Sequence, residues 1–150
     1  MLTVIFDLTV AVEVGLVVAC IAFIYRMSTL FRIEPFVHVD ADLSTRVYRL
    51  YGSLFFGAVG KVESLADELA ESIRTVVLEM HQLVSIDNSG LDALLQLHRA
   101  LERRSTRLVL CALNEQPLNL LRQSGFDAVL GDANLFPDLA SALAPQRAAT

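Results

Sequence analysis

Tryptophan is missing from this 150-residue chain, and there are only two cysteines and four prolines. Cys20 lies in an apolar run and Cys111 in a valine- and leucine-rich one, with no CxxC pair, so neither a disulfide framework nor a structural zinc site is indicated. Clustered cations are missing too: 12 Lys and Arg face 17 Asp and Glu, for a net charge of −5, and no basic run offers the phosphate contacts that nucleic acid needs. There is no GxxxxGK[ST] loop, no GxSxG elbow and no HExxH. The three histidines, His38, His81 and His98, lack metal-ligand spacing, and His98 reads as a histidine at the core edge. No catalytic residue, cofactor or metal is therefore assigned, and the chain is not expected to be an enzyme.

What is abundant is apolar side chain, 54% of the total, and much of the excess sits at the N-terminus. From Leu8 to Tyr25 the only acidic or basic side chain apart from Tyr25 and the Cys20 thiol is Glu13, and the run ends at Arg26. That is close to membrane-spanning length, with Asp7 and Thr9 suited to start the helix. A cleaved secretory signal fits poorly, because an acid precedes the run and Arg26 and Arg32 follow it. The same basic flank places everything after Arg26 on the cytoplasmic side. Glu13 is then an intramembrane acid, which must face protein or water or be protonated, unless it lies near the interface. The expected division is a transmembrane segment over 1–27, a linker over 28–43, an α/β domain over 44–144 and a flexible tail over 145–150. A chain beginning near Phe36 is expected to be soluble and folded.

Within the domain, Arg46–Gly52 alternates in strand fashion and "SLFF" follows, which suggests two strands joined by a tight turn at Gly52. Lys61–Ser72 reads as an amphipathic helix with Val62, Leu65 and Leu69 inward. Thr75–Met80 and Arg107–Leu113 read as buried parallel strands. A helix carries Leu91, Leu94, Leu95, His98 and Leu101 on one stripe, and another starts around Pro117 and closes at Gly125. A short "AVL" strand and a helix through Phe136, Leu139 and Leu143 complete an α/β plan with helical crossovers.

The stretch "IDNSGLDALLQL" sets a polar knot, Asp87-Asn88-Ser89-Gly90, directly before a leucine-rich helix. Ser89 and Asp92 match a capping box, in which the serine accepts from a backbone amide and the acid reaches back. A functional reading stands beside it. A serine at an exposed helix start is reachable by a kinase, and a phosphate there meets unpaired amides and the positive end of the helix dipole, with Asp87 opposing it.

The order of elements and the D-x-[ST]-G-L element, Asp87, Ser89, Gly90 and Leu91, resemble the STAS domain of anti-sigma-factor antagonists and of SulP-family anion transporters. "LTVIFDLTVAVEVGLVVACIAFIYRM" resembles the last membrane segment that precedes that domain in the transporters. The resemblance implies a STAS-like fold, a mixed and mostly parallel sheet with helices, behind one transmembrane helix. It further implies a cytoplasmic regulatory or interaction tail of a sulfate or related anion transporter, facing the cytoplasm from the inner membrane and unable to transport alone. Its expected partners are the membrane and the rest of a transporter, with a homodimer left open. The alternative it implies is a membrane-tethered antagonist controlled by phosphorylation at Ser89, the residue matching the antagonists' phosphoacceptor.

Overall fold

The apolar N-terminal run becomes one long helix, and the short valine- and leucine-rich segments become the strands of a sheet against which every later helix packs. The computed structural model describes residues 2–29, 31–36 and 43–147. Helix α1, Leu2–Thr29, contains the apolar span Asp7–Arg26, none of which is buried inside the molecule. Glu13 is exposed on it.

Five strands, β1 (Arg32–Phe36), β2 (Thr45–Leu54), β3 (Thr75–Glu79), β5 (Arg107–Cys111) and β6 (Leu135–Phe136), lie side by side in the order β1-β2-β3-β5-β6. The pair β1–β2 is antiparallel, with Pro35 opposite Tyr48, and the others are parallel. Strand β4, Leu83–Ile86, runs parallel to the far end of β2 beyond β3. One face of the sheet is covered by α2 (Val59–Glu63), α3 (Leu65–Glu68), α4 (Asn88–Arg103), α5 (Glu115–Ser124) and α6 (Phe126–Leu130), around Leu50, Leu78, Leu94, Leu101 and Leu110. On the other face Val47, Val77, Val109 and Cys111 pack against Ala142 and Leu143 of α7 (Leu139–Arg147).

Several expectations change. The stretch expected as a linker, 28–43, holds the last two residues of α1 and strand β1, and Phe31 is fully buried. A cut near Phe36 therefore removes a strand. An edge strand tolerates Pro35 because a missing N–H need not break a ladder there. Residues 37–42, and with them His38, lie outside the described residues. Gly52 is not a hairpin turn. β2 runs through it, and its φ of +85° accommodates a bulge where β2 leaves β3 and takes up β4. The helix expected over Lys61–Ser72 is broken into α2 and α3, although Val62, Leu65 and Leu69 are buried as the pattern required. Leu69 turns to an extended conformation, and Arg104 caps the end by donating to the Ala66 and Leu69 carbonyls. "AVL" lies in helix α6, launched from Gly125 at φ +74°, and Phe136 lies in β6 rather than in the last helix. Of the expected tail, 145–147 is the end of α7 and 148–150 lies outside the described residues.

Candidate functional site

The polar knot sits where β4 ends. Leu83 and Ile86 are buried, so the strand is held down at both ends and delivers Asp87 to the edge of the sheet in an extended conformation, φ −104° and ψ 179°. From there Asp87, and not Ser89, starts α4. Its Oδ1 accepts from the Gly90 amide at 2.8 Å, and its carbonyl accepts the first helical bond from Leu91 at 2.9 Å. Ser89 is the second residue of the helix, half-buried, and no hydrogen bond engages its hydroxyl among the described residues. Asp92 does not reach back. It is exposed and lines an open groove of about 600 Å³ together with Glu63, Asp67, Arg99 and Arg103. The capping box expected on Ser89 and Asp92 is thus replaced by an aspartate cap two residues earlier. The physical reason is where β4 ends: a cap takes extended backbone, and the extended strand conformation stops at Asp87.

Gly90 explains the glycine of the element. A Cβ at this position would stand 2.5 Å from the Leu54 carbonyl oxygen, 2.8 Å from Leu54 Cγ and 2.9 Å from Ile86 Cγ1. The first turn of α4 rests directly on the end of β2, closer than any side chain allows. Leu91 is buried beneath it and Asn88 points to solvent. The knot therefore presents Asn88 outward, with Ser89 half-buried beside it, on a base fixed by Asp87, Gly90 and Leu91.

A second clamp comes from a residue that sequence reasoning missed. The Gln116 carboxamide, on the first turn of α5, accepts from Ile86 N through Oε1 and donates to Ile86 O through Nε2, both at 2.9 Å. Asn114 donates to the carbonyls of His81 and Leu83, and Ser85 donates to Ser53 at 3.1 Å. Nothing in "NEQP" marks a partner thirty residues away. Glu13 is not part of this assembly, since it projects from α1. His98 lies at the core edge, edge-on to Phe126 at 6.3 Å, with Nδ1 buried and unpartnered. Among the described residues no three His, Cys, Asp or Glu side chains are grouped to hold a metal ion. Burial, aided by the charges of Glu79 and Asp138, pushes the Cys111 thiol up to about 12, so it stays protonated and unreactive.

The model of the STAS domain matches residues 37–142. The chain belongs to the STAS-domain family. It is 32% identical over 141 residues to YvdB of Bacillus subtilis strain 168, a protein provisionally named as a sulfate transporter, and that match covers 90% of this chain and 27% of the relative. Among solved structures, a sulfate transporter family protein from Wolinella succinogenes is 27% identical, with a TM-score of 0.67 over 72% of this chain and 88% of that one. The murine anion transporter Slc26a9, in its inward-facing state, shares the fold at 16% identity, with a TM-score of 0.72 over 91% of this chain and 25% of that one. The STAS chain thus spans about a quarter of the length of the transporters it resembles.

Proposed function

We propose that this STAS chain is the cytoplasmic regulatory and interaction module of a SulP-type anion transporter, carried on that transporter's final membrane helix. One observation carries the reading: the likeness to YvdB covers 90% of the chain, too much to be confined to the STAS domain, so it extends into the apolar helix. The physics agrees. An apolar span with none of its residues buried in the molecule needs lipid or other membrane helices around it, and Arg26 at its end favours the cytoplasmic side. The domain's role is non-catalytic, to bind and be bound, with the rest of the transporter as first partner and sulfate or a related anion as cargo of the whole. Ser89 is its modification site, because a phosphate on the outward side of the knot would meet the Asp87 carboxylate that holds the first turn of α4.

The test is anion uptake. The complete reading frame containing this chain is expressed, and radiolabelled sulfate uptake into cells is compared with that of a version ending at residue 30 and with Ser89→Asp. Uptake by the complete protein that changes on truncation supports the module reading. A reading frame that encodes no further membrane helices and whose product binds an anti-sigma factor, with Ser89→Asp abolishing that binding, establishes the tethered antagonist in its place.

A further inference from the structure

The turn that leads into α2 carries an apolar side chain that the described residues leave mostly exposed. Phe56 is 64% exposed, in the 3-10 turn Phe56–Ala58, and this turn is the part of the domain against which α1 packs. Phe23 and Ile24 of α1 join Phe55, Phe56, Gly57 and Ala58 around an apolar cleft of about 90 Å³. Phe23 and Ile24 are themselves 64% and 46% exposed, so helix and turn together form one apolar surface rather than a closed core. The turn is pinned in place, because Lys61 of α2 donates to the carbonyl of buried Phe31, just past the end of α1, at 2.9 Å.

We infer that the Phe55–Phe56 turn is a membrane-contact element, with Phe56 seated in the boundary between lipid headgroups and acyl chains of the cytoplasmic leaflet. The inference rests on the reading of α1 as a membrane helix and adds to it that the STAS domain itself touches lipid. The depth follows from helix geometry. Phe23 and Ile24 come three and two residues before Arg26, so they lie roughly 3–5 Å along the helix axis on its apolar side. The Arg26 guanidinium belongs among the headgroups, with Tyr25 beside it at the level aromatic belts occupy. A phenylalanine sharing a cleft with Phe23 and Ile24 is then within the boundary layer, which amphipathic elements enter to a depth of roughly 5–10 Å. Exposure of a large aromatic ring at this place is costly in water and favourable there. A second copy of the chain is the competing occupant, and the test separates it from lipid.

The chain has no tryptophan, so a single introduced indole reports on one position. Phe56→Trp and, separately, Phe23→Trp are placed in the full chain and reconstituted into vesicles of phosphatidylcholine and phosphatidylglycerol, with or without acyl chains brominated near the headgroup. Circular dichroism verifies that each variant keeps the wild-type spectrum. The expected result is blue-shifted emission from both, a loss of most of the intensity with brominated lipid, and weak quenching by aqueous iodide. If Phe23→Trp is quenched by bromine while Phe56→Trp emits at long wavelength and is quenched by iodide, the contact is refuted and the membrane helix stands. If Phe56→Trp is blue-shifted but silent to both quenchers, a protein surface covers it and the inference falls to a second copy. If neither tryptophan senses bromine, the membrane reading fails together with it.

Discussion

Gly90→Ala tests the packing of the knot most directly. The added methyl would meet three atoms at 2.5, 2.8 and 2.9 Å, all closer than carbon side-chain atoms tolerate. The shortest of these contacts is to the Leu54 carbonyl oxygen, which cannot swing aside freely because it accepts from the Asp87 amide at 3.2 Å. Overpacking of this kind costs about 1–3 kcal/mol. The replacement also removes a helical glycine, which returns about 0.5–1 kcal/mol by restricting the unfolded chain. Because backbone and not a flexible side-chain end is struck, the steric side prevails and the net loss is about 1–2 kcal/mol. For a domain of this size each kcal/mol lowers Tm by roughly 4–8 °C. The assay is thermal unfolding of the full chain in mild detergent, followed by near-ultraviolet dichroism so that the signal of α1 does not mask the domain. A variant melting at or above the wild-type temperature would show that α4 does not rest on β2 as described.

Asp87→Ala should destabilise by about 1 kcal/mol, the usual cost of losing an N-cap, whereas Ser89→Ala should be nearly silent. The reverse order in urea titrations would restore Ser89 as the cap. Cys111 should resist a maleimide at pH 8 in the folded protein and react after denaturation. Its raised pKa also means that stability present below pH 9 declines as the pH climbs towards about 12, since only the unfolded thiol then ionises. Labelling of the native thiol at a free-cysteine rate would contradict its burial. A chain starting at Thr29 should melt cooperatively without detergent, while one starting at Phe36 should aggregate or lose cooperativity, because it lacks β1 and the buried Phe31 ring. Equal behaviour of the two would mean that β1 is dispensable.

How far the fold could be read beforehand depended on whether one segment held its own signal. β3 and β5 are continuous apolar runs, α4 and α5 carry regular stripes, and α1 carries a long apolar span broken only by Glu13, so each declared itself. β1 did not, since "RIEPF" has two charges and a proline and becomes a strand only because β2 offers it an edge. β4 has four residues and depends on the extension of β2 past Gly52. α6 is a five-residue apolar piece of the length at which helix and strand look alike, and the left-handed Gly125 tips it to helix. At the knot "DNSGLD" reads as a cap from Ser89 to Asp92, and the structure caps the helix on Asp87 instead. That start is set where β4 stops and Gly90 rests against Leu54, a contact between residues far apart in sequence.

The two hydrogen bonds between Gln116 and Ile86 also bear on how the molecule avoids sticking to its own kind. A strand at a sheet margin exposes peptide groups that invite another chain to add on, and β4, four residues long and with exposed Val84, is such an invitation. The Gln116 carboxamide has the donor and acceptor of a peptide unit and occupies both groups of Ile86, while Asn114 takes the Leu83 carbonyl. The margin is thus closed by side chains that imitate a neighbouring strand without propagating one. With Gln116 and Asn114 in place, a neighbouring chain finds both peptide groups of Ile86 and the Leu83 carbonyl already taken.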